Sequence, residues 1–120
     1  MTWLLVGAAG ALGALSRYGI SLAIGVRPFP IATLLINVTG SFFLGLVLTL
    51  GATRLPQQVT TAIAVGFLGA YTTYSTFSWE LFTLGRADRL AAAAAYLALS
   101  VIAGVLAAAL GYRLGSALRG

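Results

Sequence analysis

Long apolar runs separated by short polar turns make up most of the chain. Four runs cover residues 3–24, 31–53, 59–84 and 90–113. Each is about as long as the 20 residues that a helix needs to cross the hydrocarbon core of a bilayer. The connections contain proline, glycine or mixed charge and read as tight turns. The pattern predicts an all-α integral membrane protein with four transmembrane helices, in which residues 1–120 form one transmembrane domain.

The composition excludes an ordinary soluble domain. Hydrophobic residues make up 60% of the chain and charged residues only 8%, whereas a soluble domain has about 25% charged residues. The mean hydropathy is +1.01. Cysteine and histidine are absent, which excludes thiol chemistry, thiolate or imidazole metal sites and histidine-based catalysis. No nucleophile paired with a base is visible, so we do not expect an enzyme.

The arginines give no clear orientation signal. Basic residues near span ends normally set topology by their cytoplasmic excess, and here they indicate interfacial anchoring rather than nucleic-acid binding. The predicted sides of the membrane carry Arg54, Arg113 and Arg119 against Arg27, Arg86 and Arg89. Arg17 changes this balance by one at most. The weak bias is either chance in a chain with few charges or a sign of dual topology, in which two inverted copies pack as an antiparallel homodimer.

The third apolar run contains polar residues in its middle. Its sequence from residue 66 to residue 80 is GFLGAYTTYSTFSWE, with six hydroxyl side chains in the seven positions 71–77. Glycine and β-branched threonine weaken a helix, and hydroxyls compete for backbone hydrogen bonds. We therefore predict that this helix is broken mid-membrane between Gly69 and Thr73. Such a break is tolerated only where it is buried in protein or lines a cavity.

Polar side chains in the second and fourth runs extend this set. Asn37 is the only asparagine and shares a helix face with Thr33, with Ser41 one turn beyond. Tyr96 and Ser100 lie one turn apart on the fourth run. An interhelical packing hydrogen bond is the alternative role for Asn37.

These groups are mostly neutral hydrogen-bond donors, and Glu80 is the only acid within a run. Hydroxyls, amide N–H groups and the positive edges of aromatic rings can replace the water around an anion. The set therefore favours passage of a small anion over a carboxylate-based, proton-coupled carrier.

Small residues recur at helical spacing along the first and fourth runs. The pairs are Gly7 and Ala11, Gly10 and Ala14, Gly104 and Ala108, and Gly111 and Gly115. Such pairs let membrane helices approach closely. We expect them to be packing faces and not ligand sites.

Three blocks of sequence resemble the Fluc (CrcB) family of fluoride ion channels. They are GALSRYG at residues 13–19, LINVTGSFFLG at residues 35–45 and GFLGAYTTYSTFSWE at residues 66–80. The resemblance implies an antiparallel, dual-topology homodimer in the plasma (inner) membrane of a prokaryote, with two pores that passively export cytoplasmic fluoride. It also implies a structural Na⁺ at the dimer two-fold axis, bound by the backbone carbonyls of Gly69 and Thr72 from both subunits.

The same resemblance assigns the fluoride pathway. The matching positions are Asn37, Tyr74, Ser75, Thr76, Phe77, Thr33, Tyr96, Ser100, Glu80 and Arg17. Two positions depart from the family pattern. Tyr74 replaces the first phenylalanine of the usual TTFSTF motif, and Gly104 stands where a further serine would extend the hydroxyls of the fourth helix. Both departures bear on rate and selectivity more than on fold.

Three alternatives stay open. In an obligate heterodimer, a paralogous subunit supplies the intact aromatic pair. A small multidrug-resistance exporter has a similar length, but its proton coupling needs a glutamate in the first run, and residues 3–24 contain no acid. A non-transporting assembly subunit predicts that the polar cluster can become aliphatic without loss of conductance.

Overall fold

A computed structural model describes all residues from Met1 to Gly120 and is entirely helical, as predicted. Its elements are α1 (Thr2–Ile24), α2 (Ile31–Arg54), α3 (Gln57–Thr61), a π-helical segment (Ala62–Leu68), α4 (Gly69–Tyr71), α5 (Ser75–Arg86) and α6 (Leu90–Arg119). Helix α6 continues to Arg119, beyond the end of the predicted membrane span at residue 113. The sequence after residue 113 contains no proline that would stop the helix.

Three helices, α1, α2 and α6, are long and apolar enough to cross a membrane. The predicted third crossing is divided into shorter pieces. Residues 57–71 are helical throughout, and we call them the proximal half-helix; α5 is the distal half-helix. Neither half alone reaches the roughly 20 residues that a crossing needs.

The break between the half-helices occupies residues 72–74. It begins later than predicted, because Gly69 still has helical φ and ψ of −63° and −36°. Thr72 is the first extended residue, with φ −79° and ψ 160°. The N–H of Gly69 donates to the carbonyls of Ala64 and Gly66, so the π-helical segment keeps this glycine in the helix. The low helix propensity of glycine alone therefore did not determine the residue at which the helix ends.

Most side chains of the single chain face outward. Only 16 of 120 residues are buried, and large apolar side chains such as Trp3 and Val105 are exposed. An apolar outer surface suits lipid surroundings. The fold is therefore that of a multi-pass membrane protein in which a single chain buries only a small core of its own.

The connection after α1 is built from residues that stop a helix. Gly25 ends α1 with a φ of 74°, a conformation that glycine adopts without strain. Pro28 and Pro30 follow, and proline cannot continue a helix interior. Arg89, just before α6, donates from Nη1 to the carbonyl of Pro28. This hydrogen bond ties the first connection to the last one.

Glycines bring α1 against the proximal half-helix. A Cβ on Gly66 would lie 2.7 Å from the Val6 carbonyl oxygen, and one on Gly10 would lie 3.5 Å from that of Gly66. The predicted packing role of Gly10 is thus confirmed. A Cβ on Gly7 would have no neighbour within 4 Å, so Gly7 packs against no other helix of the same chain. Its part of the helix surface faces away from the proximal half-helix.

Helices α2 and α6 run side by side in the same direction, since contacts advance along both together. Gly45 lies against the backbone of Ala108, and a Cβ on Gly115 would lie 2.7 Å from the Cβ of Thr49. Between these pairs, Gly111 also contacts the α2 backbone. The predicted packing faces at residues 108–115 are confirmed.

Candidate functional site

Asn37 joins the break to α2 through two hydrogen bonds. Its Nδ2 donates to the Thr73 carbonyl at 3.0 Å, and its Oδ1 accepts from the Thr73 N–H at 2.8 Å. Without these bonds the broken helix would leave both backbone groups unsatisfied in an apolar setting. The interhelical bond considered as the alternative role of Asn37 is therefore present. The amide carries a second N–H that is not used in this pair.

Other side chains complete the backbone bonding near the break. The hydroxyl of Thr73 accepts from the Thr76 N–H at 3.2 Å and so caps the first turn of α5. The hydroxyl of Thr72 donates to the Leu68 carbonyl at 2.9 Å. From α1, Arg17 donates through Nε to the Ala70 carbonyl at 3.2 Å. Side chains from α1 and α2 thus hold the interrupted backbone in place.

Two carbonyls at the break accept none of the nearby backbone N–H groups. The N–H groups of Thr72 and Thr73 donate elsewhere, so neither reaches the Gly69 carbonyl. The N–H of Thr76 bonds to the Thr73 hydroxyl and not to the Thr72 carbonyl. Gly69 and Thr72 both line the same groove. The Na⁺ site predicted at these two carbonyls stays a prediction.

An open groove of about 440 Å³ lies between the break, α2 and α6. Its polar and aromatic lining residues are Asn37, Ser41, Thr72, Thr73, Tyr74, Phe77 and Ser100. The hydroxyl of Ser100 is buried and has no hydrogen-bond partner. The Tyr74 side chain is 81% exposed, with its ring 6.3 Å from that of Phe77. We call this space the polar groove.

A second cavity of about 470 Å³ lies beside the connection between α1 and α2. Thr33, Thr76 and Glu80 line it together with Ser21 and Arg27. It is the more charged of the two spaces, because it holds a carboxylate and a guanidinium. We call it the charged cavity.

Tyr96 lies between the polar groove and the charged cavity. Its side chain is completely buried. Its ring packs 5.1 Å from Phe77, which lines the groove, and edge-on at 5.6 Å from Phe29, which lines the cavity. Its hydroxyl donates to Glu80 Oε1 at 3.1 Å. Tyr96 therefore contacts a lining residue of each space.

The structure groups most of the residues predicted for the fluoride pathway. The polar groove holds Asn37, Tyr74, Phe77 and Ser100, and the charged cavity holds Thr33, Thr76 and Glu80, with Tyr96 between them. Ser75 and Arg17 line neither space. Ser75 is exposed on the first turn of α5, and Arg17 contacts the backbone at Ala70. The pathway itself stays a prediction.

Sequence reasoning missed a hydroxyl pair beside the break. Tyr71 is buried, and its hydroxyl lies 3.0 Å from that of Thr39 on α2. The Tyr71 ring stacks on Phe67 with centroids 5.9 Å apart. Tyr71 had been counted only as one hydroxyl of the polar stretch. The pairing could have been predicted from the position of Tyr71 directly before the break, because a polar side chain there needs a hydrogen-bond partner on the neighbouring helix.

These features define a class of protein: a multi-pass α-helical membrane protein with a groove of neutral hydrogen-bond donors beside a broken helix. A family model described as "CrcB-like protein, Camphor Resistance (CrcB)" matches residues 4–112. The chain therefore belongs to the CrcB-like protein family.

Similar proteins cover nearly the whole chain. The "Fluoride-specific ion channel FluC 2" of Moorella thermoacetica is 44% identical over 118 residues, which span 93% of this chain and 94% of the relative. The "Fluoride-specific ion channel FluC 1" of Bacillus cereus is 42% identical over 98% of this chain and 90% of its own length. The "Fluoride-specific ion channel FluC" of Idiomarina loihiensis is 47% identical over 81% and 78%.

Proposed function

We propose that this chain is a fluoride-specific ion channel of a prokaryotic plasma membrane, and not an enzyme. Relatives with that name match it over more than nine-tenths of its length. The structural observation that carries the proposal is the polar groove. Its polar side chains are amide, hydroxyl and aromatic groups without a carboxylate, a set that suits a small anion.

The residues of the groove would replace water around fluoride. The buried Ser100 hydroxyl has no partner within the chain, so its proton is free to donate to an anion. The second N–H of Asn37 offers another donor, and the edge of the Phe77 ring carries positive charge. Movement through these groups needs no energy source other than the electrochemical gradient. The protein thus acts as a passive exit route for cytoplasmic fluoride.

The proposed assembly is an antiparallel dimer of inverted copies with two pores. In each copy, the proximal and distal half-helices together make the third of four crossings. The balanced arginines, the small private core and the openness of the polar groove support this arrangement. The partner is a second copy or a paralogous subunit, and the numbered names of the relatives fit the presence of paralogues.

A structural Na⁺ on the dimer axis is part of the same proposal. The carbonyls of Gly69 and Thr72 would hold it, with the same pair from the other subunit. They fit this role because they take no hydrogen bond from the break, and oxygen ligands suit hard cations. When bound, the ion supplies positive charge that offsets the desolvation of nearby anions.

The test of the function is fluoride efflux from liposomes that contain only this purified chain. The expected result is rapid, valinomycin-dependent fluoride release, with little release from matched chloride-loaded liposomes. No release from correctly inserted dimers of this chain, even when a second family member is co-expressed, would contradict the channel function. Release only with that second member would instead identify an obligate heterodimer.

The test of dual topology uses the absence of cysteine from the chain. A single Gly120→Cys change at the C-terminus introduces the only thiol. In intact cells, a membrane-impermeant maleimide should label about half of the molecules if both orientations occur equally. Labelling of all molecules or of none would show one fixed orientation and would contradict the antiparallel homodimer.

A further inference from the structure

We propose that Ser41 of α2 supplies the hydroxyl that α6 lacks at Gly104, so that the hydrogen-bonding wall of the polar groove passes from α6 to α2. This inference rests on the proposed channel function and adds a positioned donor to it. It makes Ser41 the last hydroxyl of the groove before the two helices close on each other.

The register of α2 and α6 places Ser41 opposite Gly104. The nearest atom to a Cβ built on Gly104 is Ser41 Oγ, at 3.8 Å, with nothing else within 4 Å. One turn further along both helices, Gly45 lies against Ala108. Both contacts have the same sequence offset, which is the repeat expected of two helices running in the same direction.

One turn in the other direction, the facing positions are both polar. Asn37 and Ser100 each lie one helical turn before Ser41 and Gly104, and both line the polar groove with Ser41. Ser100 is the last hydroxyl that α6 contributes to the groove. Ser41 is therefore the next hydroxyl along the groove, on the opposite helix.

Ser41 can turn its proton toward the groove. At present its hydroxyl donates to the carbonyl of Asn37 in the same helix, at 2.7 Å. Such a bond to the preceding turn is local and adds little to helix stability. An anion in the groove accepts a stronger, charge-assisted hydrogen bond from the same hydroxyl. Rotation about one side-chain bond is enough to exchange the two acceptors.

Helices α2 and α6 come into backbone contact one turn beyond Ser41. A Cβ on Gly45 would clash with the Ala108 carbonyl, and it would lie 3.1 Å from the backbone nitrogen of Tyr112. The helices are therefore in backbone contact there, and no further side chain fits between them. Ser41 is therefore the last hydroxyl on α2 before this contact, and the groove lining beyond it is the apolar side chain of Leu44.

The experiment moves one hydroxyl across the groove. We expect Ser41→Ala to lower fluoride efflux from liposomes about tenfold, the effect of one lost hydrogen bond to an ion. Adding Gly104→Ser to Ser41→Ala should restore efflux to within about threefold of the wild type. The Gly104 site has room for this change. Ser116→Ala is the matched control, because Ser116 is an α6 serine with a buried, unpartnered hydroxyl that lies outside the groove.

The possible outcomes distinguish failure of the Ser41 inference from failure of the proposed channel function. Wild-type efflux from Ser41→Ala would overturn the inference and leave the channel function intact. A loss that Gly104→Ser does not restore, in variants that elute like the wild type in size-exclusion chromatography, would also overturn it. Absence of efflux from the wild-type chain, with or without a family partner, would instead contradict the channel function.

Discussion

The two halves of the contact between α2 and α6 are built in opposite ways. In the half nearer Asn37, polar side chains face each other across the open polar groove. In the half beyond Gly45, glycines at 45, 111 and 115 bring the two backbones together. We call these the open half and the closed half. The same two helices form both, so the difference comes only from which residues face the contact.

This difference shows how a pair of helices can hold a groove at a defined width. The closed half fixes the distance between the helices, because glycine contacts leave no side chain that can adjust. The open half contains the polar groove, and Asn37 is hydrogen-bonded there to the break. Donors in the open half are therefore positioned by residues that never contact the ion.

The largest effect is expected from adding a side chain in the closed half. A Cβ on Gly111 would lie 2.9 Å from the Leu46 nitrogen, so Gly111→Val must push the helices apart. We expect a loss of about 3 kcal/mol or more in the free energy of unfolding in detergent, and no fluoride efflux. Gly7→Val is the control, because nothing lies within 4 Å of Gly7. Equal stability of the two variants would show that the closed half does not set the helix distance.

The second-largest effect is expected from placing a negative charge in the open half. Asn37→Asp removes the donor to the Thr73 carbonyl and adds a negative charge that repels fluoride in the groove. We expect efflux to fall about 100-fold or more, with the dimer still present in size-exclusion chromatography. Asn37→Thr removes the amide without adding charge and should retain more efflux. Wild-type efflux from Asn37→Asp would remove Asn37 from the pathway.

A smaller effect is expected where the open half ends at Tyr96. Tyr96→Phe removes the hydroxyl that donates to Glu80 at 3.1 Å and leaves the ring packing unchanged. We expect the free energy of unfolding to fall by about 1 to 2 kcal/mol, the cost of losing a hydrogen bond to a carboxylate. Tyr112→Phe on the same helix is the control, since Tyr112 is exposed. Equal unfolding midpoints for both variants would argue against a stabilising Tyr96 to Glu80 bond.

The smallest effect is expected at the far end of the closed half. Arg54 donates through Nη2 to the Leu118 carbonyl in the last turn of α6, at 2.7 Å. Because the contact is exposed, Arg54→Gln should cost about 0.5 kcal/mol or less in thermal unfolding. Arg113→Gln is the control, because it removes the same charge from a different position. A cost above about 2 kcal/mol for Arg54→Gln alone would mean that this end bond, and not glycine packing, closes the helix pair.

The helices were largely predictable from sequence because a bilayer imposes length and hydropathy on each crossing. The ends of α1 and α2 agree with the apolar runs to within two residues, helped by Gly25 and the prolines around residue 30. The break was predicted between Gly69 and Thr73 and lies at residues 72–74, at the C-terminal end of that range. Its position depends on the π-helical segment before it and on Asn37, which contacts Thr73 from another helix.

The candidate site was predictable as a set of residues but not as an arrangement. The motif match identified Asn37, Phe77 and Ser100, which the structure brings to one groove. It could not show that Tyr96 contacts lining residues of both this groove and the charged cavity, because that depends on how α5 and α6 pack. Nor could it place Ser41 opposite Gly104, since the register of the two helices depends on glycine contacts further along them, at Gly45, Gly111 and Gly115.

The pair of hydrogen bonds between Asn37 and Thr73 also has a consequence for biogenesis. The two residues are 36 positions apart, so the third helical region cannot form its break by itself. Translation proceeds from the N-terminus, and α2 is therefore synthesised before the break. The break enters the bilayer beside a helix that already carries the amide it needs. A circular permutation that placed α2 last would remove this order and expose the unpaired backbone of Thr73 to lipid during insertion.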